Sequence, residues 1–263
     1  AQETKDLVAD LRASLDGLQQ ETGATPYVTG QTAAGVDISD TLATAFPKYL
    51  VVVVGLAFLL LVLVFRSILV PLKATLGFLA SVGISLGATV AVFQWGWLNQ
   101  LIGLDTTAPV VFILPLLLTG ILFGLAMDYE VFLVSRMREE YVHGREARDA
   151  VVEGFSHSAR VVTAAALIMT GVFAGFAGGA DPIIKTIGFA LAVGVLADAF
   201  LVRMLLVPAV MSIVGRHMWW LPRWLDRALP NLDIEGESLA EHLGKHRGTP
   251  PAEELELRAK GEI

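Results

Sequence analysis

Gly120-Ile-Leu-Phe-Gly124-Leu-Ala-Met-Asp128-Tyr129-Glu130-Val-Phe-Leu-Val-Ser-Arg136 sets a carboxylate inside an apolar run that otherwise has the length and composition of a membrane-spanning helix. A charge at that depth costs about 2.5–3.5 kcal/mol on insertion scales, so the default reading is functional. Gly120, Gly124 and Asp128 are spaced i, i+4, i+8 and share one helix face. Two glycines on that face allow a neighbouring backbone to come close. Asp128 is therefore expected to face protein or a water-filled seam rather than lipid.

The rest of the chain supports a membrane setting. Of its 263 residues, 54% are hydrophobic and only 17% charged, with a mean hydropathy of +0.63. A soluble domain is nearer a quarter charged. Five apolar segments follow one another at about 49–65, 72–97, 110–134, 161–177 and 183–206, each near the ~20 helical residues that a ~30 Å hydrocarbon core requires. A net charge of −7 argues against a nucleic-acid partner. With no cysteine, disulfides, thiolate zinc sites and thiol catalysis are excluded.

Basic residues orient the spans. Arg66 and Lys73 lie between the first two, Arg136, Arg138, Arg145, Arg148 and Arg160 between the third and fourth, and Arg203, Arg216, Arg223 and Arg227 at or beyond the end of the fifth. The opposite connections carry only Lys185. The positive-inside rule then puts the basic connections and the C-terminus in the cytoplasm, and the N-terminus outside it, in a multi-pass plasma-membrane protein.

Three regions are expected. Residues 1–46 read as a soluble helix over 6–22, with a leucine stripe at Leu7, Leu11, Leu15 and Leu18, then a short strand at 25–29. Asp37 and Asp40 supply cap-type residues for the next helix. A helix and a strand directly before a span look like the end of an extracytoplasmic α+β domain. The absence of an export signal ahead of an external N-terminus suggests a piece of a longer polypeptide. Residues 47–215 hold the five spans. Their cytoplasmic connection at 136–160 has an apolar face of Ala147, Val151 and Phe155, which suits a helix lying in the interface plane. Residues 216–263 begin with an aromatic and basic belt of Trp219, Trp220 and Trp224 and end in an acidic tail of disordered composition. His242 and His246 are i, i+4, but no third ligand is evident, so no metal is expected.

Asp128 lies eight residues before Arg136, about 12 Å along the helix from the inner boundary. Burial there raises a carboxyl pKa and brings its titration within physiological reach, as a proton-coupled machine needs. Tyr129 is adjacent and can hydrogen-bond a carboxylate on a neighbouring helix. Glu130 points away from the Asp128 face and reads as a structural partner for Lys73 or Arg203, with proton carriage as the alternative. Asp198 is the second embedded acid, on a face shared with Ala190 and Gly194. Asp198 and Arg203 are five apart and are poor partners on an α-helix. Asp198 is therefore expected to pin the fifth span through an ion pair with another helix, with proton carriage as the alternative. Small residues at Gly77, Ser81 and Ser85 signal tight packing.

Together, Gly124-Leu-Ala-Met-Asp128-Tyr129-Glu-Val-Phe-Leu-Val-Ser-Arg136, Phe65-Arg66-Ser67, Thr163-Ala-Ala-Ala-Leu-Ile-Met-Thr170 and Gly188-Phe-Ala-Leu-Ala-Val-Gly194-Val-Leu-Ala-Asp198 resemble the signature of actinobacterial MMPL transporters of the RND superfamily, over residues 30–215. The resemblance implies an all-α polytopic fold, the last five helices of a second repeat, preceded by the α+β end of a porter domain. It implies a secondary transporter and not an enzyme, one that uses the proton gradient and no cofactor to export lipids or other hydrophobic compounds. Asp128 and Tyr129 would form half of the proton relay, facing a matching pair on the N-terminal half of the same protein, with an oligomer as a further arrangement of partners. Two other readings compete. One is an intramembrane aspartyl protease with Asp128 and Asp198 as its dyad. The other is an RND-type scaffold or sensor whose acids are packing ion pairs.

Overall fold

The computed structural model describes residues 2–97, 103, 107 and 110–229. The acidic tail with His242 and His246, and most of the connection between the second and third spans, lie outside the described residues. Among the described residues the regular structure is entirely helical.

Helix α1 (Gln2–Thr22) is followed, after an irregular link, by α2 (Gln31–Phe65). The strand expected at 25–29 is not formed: residues 23–29 are irregular. A lone extended segment has no ladder of its own, and among the described residues no strand lies beside it. The cap expected at Asp37 and Asp40 is also corrected. Helix α2 begins six residues earlier, after Gly30 at φ 122°, and both acids lie within it. Asp37 instead receives Nη1 and Nη2 of Arg12 at 2.6 and 2.8 Å, so α1 packs along the start of α2 with Val8 and Ala33 buried. The boundary expected at residue 46 thus falls inside one continuous helix, which carries Pro47 without breaking.

Helix α2 stops at Arg66, a left-handed residue at φ 48° whose backbone N–H bonds the Val62 carbonyl. Helix α3 (Leu69–Thr89) continues as a π-helical segment, Val90–Gln94. Helix α4 (Leu114–Val142) carries the opening stretch, and α5 (Ala147–Ala177) returns beside it. The connection at 136–160 is therefore a helical hairpin, not an in-plane helix. Its apolar face is buried against α4 rather than laid on lipid, with Ala150 and Val151 in the core. The reason is Gly154: a Cβ there would stand 2.7 Å from the Met137 Cα and N, so the two backbones touch.

Asp181 caps α6 (Pro182–Leu196) by accepting from the Ile183 and Ile184 amides at 2.9 and 3.0 Å, with Pro182 in the first turn. The same rod runs on as a ten-residue π-helical segment (Ala197–Leu206), α7 (Val207–Val214) and a 3₁₀ turn (Gly215–Trp219). Helix α8 (Arg223–Ala228) belongs to a separate unit.

Five helices are long and apolar enough to cross a membrane: Gln31–Phe65, Leu69–Gln94, Leu114–Val142, Ser158–Ala177 and Pro182–Trp219. The chain is a multi-pass membrane protein. One core cluster, at the basic end, joins Phe65, Val70, Val134, Met137, Val151 and Met211. A second, further along the bundle, joins Phe78, Leu118, Leu122, Ala166, Ala190 and Leu191. The basic end is tied further by polar and ring contacts. Ser67 Oγ donates to the Met218 carbonyl at 2.5 Å, Arg138 Nη1 to the Val64 carbonyl at 3.1 Å, and Trp219 stacks on Tyr141 at 5.6 Å.

Candidate functional site

Three consecutive residues of α4 fall into three environments. Asp128 is exposed, Tyr129 half-buried and Glu130 buried. The ~100° step of an α-helix accounts for this: one residue faces out of this bundle, the last faces into it, and the tyrosine spans the edge.

Glu130 is the middle of a buried row of charges. Lys73 Nζ on α3 donates to its Oε1 at 2.7 Å, and Arg203 Nη1 stands 3.8 Å from its Oε2. Arg203 Nε donates to Asp198 Oδ2 at 2.6 Å, and its Nη2 donates to the Ala126 carbonyl. Ser81 Oγ on α3 lies 3.3 Å from Asp198 Oδ1 and 3.2 Å from the Gly77 carbonyl, so its single proton is shared between two acceptors. Two cations and two anions sum to zero. Each charge would be costly alone among apolar helices, and the row removes that cost by mutual pairing. It also fastens α3, α4 and the π segment to one another.

The Asp198–Arg203 contact corrects the expectation that residues five apart on one helix do not meet. An α-helical turn brings i+4 over i, whereas a π-helix closes i→i+5 bonds. The π segment Ala197–Leu206 holds both residues, and i+5 becomes the neighbouring position. Asp198 accordingly pairs within its own rod and reaches another helix only through the Ser81 hydroxyl. Close backbone packing makes that second contact: a Cβ on Gly77 would stand 2.5 Å from Val202 Cγ1.

Tyr129 touches this row from the side, its ring centroid 5.6 Å from Arg203 Cζ, a cation–π distance. Tyr129 and Asp198 also line one small cavity of about 10 Å³, near the lower limit for one water.

Asp128 stands apart. Around Gly124 nothing among the described residues lies within 4 Å of where a Cβ would stand, and at Gly120 the nearest atom is Tyr49 Oη at 3.0 Å. The glycine–aspartate face is thus open from Gly124 inward, while the Glu130 face is closed. Asp128 is exposed and Asp198 is only 8% exposed and held by Arg203. A protease dyad needs two carboxyls sharing one proton at close range, and this arrangement lends it no support. Among the described residues no group of three or more metal-ligating side chains is gathered.

The sequence named Asp198 on its own and offered Lys73 or Arg203 as the partner of Glu130, and both stand beside that acid. It missed Arg203 as the hub that joins both acids, and Ser81 as a ligand of Asp198. A small polar residue one turn beyond Gly77 was the available signal.

The chain is 50% identical over 240 residues to membrane protein YdfJ of Bacillus subtilis, covering 91% of this chain and 33% of YdfJ. It is 44% identical over 230 residues to the mycolic acid-containing lipids exporter MmpL11 of Mycolicibacterium smegmatis (86% of this chain, 23% of that protein). It is 36% identical over 232 residues to the trehalose monomycolate exporter MmpL3 of Mycobacterium tuberculosis (87% and 24%). The chain spans about a third or less of the length of these relatives. The MMPL family model matches residues 1–231, and the chain belongs to the MMPL family.

Proposed function

We propose that this chain is part of a proton-motive-force-driven exporter of lipids or other hydrophobic compounds, with Asp128 and Tyr129 as half of its transmembrane proton relay. One observation carries the reading: of the two acids on α4, Glu130 is fully paired inside the bundle, whereas Asp128 is exposed on a glycine face left open by this chain. A paired carboxylate is committed to its partners, whereas an embedded acid without them is the one left for functional use.

In this reading the other half of the same transporter packs on Gly120 and Gly124 and brings its own polar pair to Asp128. Tyr129 hydrogen-bonds across that seam from a ring braced by Arg203. The row Lys73–Glu130–Arg203–Asp198 is the fixed scaffold behind that seam. The basic connections lie in the cytoplasm with the C-terminus, the N-terminus is extracytoplasmic, and α1 with the start of α2 belongs to the end of a porter domain. A lipid-like cargo is supported by the relatives named as exporters of mycolic acid-containing lipids and of trehalose monomycolate.

The test is Asp128→Asn in the full-length protein, because an amide keeps the shape and cannot titrate. Export is expected to be lost with expression and folding intact. Proton-dependent export retained in that variant would falsify the carrier role.

A further inference from the structure

Arg136 is the first cation along α4, and Ser158 opens the membrane-length part of α5, Ser158–Ala177. Between them lies a cavity of about 420 Å³ with Phe132, Arg136, Glu139, Glu140, Ser158 and Val161 in its walls. That volume falls in the roughly 300–1,000 Å³ range of small-ligand pockets. Its back is closed by the Gly154–Met137 backbone contact. Each i+4 step along an α-helix turns the face by ~40°, so Phe132 and Arg136 are carried progressively round α4 from the line of Gly120, Gly124 and Asp128. The cavity therefore lies beside the Asp128 face, on the side of α5.

Its walls divide by chemistry. Ser158 is 1% exposed, and its hydroxyl has no hydrogen-bond partner among the described residues. Thr163 and Thr186 settle on the carbonyls four residues back, Ala159 and Pro182, at 2.7 Å. Ser158 does not, and a buried hydroxyl in that state calls for a guest or water. Arg136 pairs with Glu139 at 2.9 Å, and Glu140 with Arg145 at 2.9 Å. Exposed pairs of this kind hold weakly and exchange partners at little cost. Phe132 and Val161 are exposed and stand about one turn nearer the middle of the membrane than Arg136 and Ser158. We infer that this cavity seats one phospholipid with a primary-ammonium headgroup, from the leaflet at the basic end. Its phosphate lies on Arg136 and the Ser158 hydroxyl, its ammonium between Glu139 and Glu140, and the start of an acyl chain on Phe132 and Val161. One guanidinium and two carboxylates repel a purely anionic headgroup, whereas a zwitterion brings its own cation. A primary ammonium offers three donors to the two carboxylates, and a quaternary choline offers none. The inference rests on the membrane setting of α4 and α5 and is independent of the carrier role of Asp128.

The test uses the full-length transporter in detergent and a phosphatidylethanolamine that carries a diazirine near the start of one acyl chain. On irradiation the probe is expected to label the peptides containing Phe132 and Val161. Unlabelled phosphatidylethanolamine should suppress that labelling at a several-fold lower concentration than phosphatidylcholine or phosphatidylglycerol. Arg136→Gln and Ser158→Ala should each reduce it several-fold. Leu167→Ala, exposed on the opposite side of α5 from Ser158, should leave it unchanged. Ser158→Ala removes a hydroxyl that has no partner to lose, so its melting midpoint without added lipid should match the parent, and loss of labelling there is not loss of fold. No labelling at these peptides, or full labelling in both site variants, overturns the inference. So does equal suppression by all three lipids, which marks ordinary boundary lipid, or strongest suppression by phosphatidylglycerol, which marks an anion site. Failure of the carrier reading shows elsewhere, as retained export in Asp128→Asn, whatever the labelling gives.

Discussion

Arg203 reaches back five residues along its own rod to Asp198, Nε to Oδ2 at 2.6 Å, because the ten residues Ala197–Leu206 are wound as a π-helix. Runs of π-helix are rare and short, and they occur mostly at functional sites. Here the widened turn lets the guanidinium donate to Asp198 and to the Ala126 carbonyl, while its Nη1, without a hydrogen-bond partner among the described residues, stands 3.8 Å from the Glu130 carboxylate.

That geometry predicts that Arg203→Lys is not conservative. An ammonium is a point charge on a flexible stem and cannot present donors in a fixed fork. At least one of the two hydrogen-bonded acceptors, Asp198 or the Ala126 carbonyl, would lose its donor, at about 1–3 kcal/mol for a buried group. Thermal unfolding in detergent should fall accordingly. An unchanged midpoint would show that Arg203 acts only as a charge.

Glu130 supports a second prediction. Glu130→Gln leaves Lys73 and Arg203 facing each other across a neutral amide, and breaking a buried pair from one side costs about 3–5 kcal/mol. Adding Lys73→Met should recover much of that loss, because the stranded cation is then gone. Additive losses in the double variant would rule out the pairing as the source of the effect.

These relationships also mark how far the residues themselves could be read. The five spans and the shared Gly120–Gly124–Asp128 face follow from length, hydropathy and i+4 spacing, which are local properties. The Asp198–Arg203 pair is hidden because α-helical periodicity is assumed, and no residue type announces a π turn. The 25–29 segment has strand-forming residues, but a strand is a property of two segments and the second is not among the described residues. Asp37 and Asp40 have the chemistry of caps. Their use is decided by α1: Lys5 stands 3.9 Å from Asp40, and Arg12 pairs with Asp37 and is held above the ordinary arginine pKa mainly by that bond.

The glycines should divide into two classes. Gly154→Ala pushes a methyl to 2.7 Å from the α4 backbone, which cannot yield as a side chain would, and forcing the helices apart costs about 1–3 kcal/mol. At Gly124 a Cβ would meet nothing of the described residues within 4 Å, so Gly124→Leu is the contrasting case. It should leave the stability of these five helices nearly unchanged and still cripple transport by excluding the helix that packs there. Melting curves and export assays on the two variants check this. Equal stability loss in both would place the partner of Gly124 inside this bundle.

Tyr129 separates scaffold from relay most cleanly, because its ring and its hydroxyl have different neighbours. The ring lies 5.6 Å from the Arg203 guanidinium carbon, and a contact of that kind contributes about 0.5–2 kcal/mol, more where it is dry. The hydroxyl is the only part that a proton relay would use. Tyr129→Phe keeps the ring and removes the hydroxyl, so its melting midpoint should match the parent while export falls by an order of magnitude or more. Tyr129→Leu removes both and should lose stability as well as export. If Tyr129→Phe exports normally while Tyr129→Leu unfolds early, the tyrosine is only a brace for Arg203, and the relay on this side of the seam reduces to Asp128 alone.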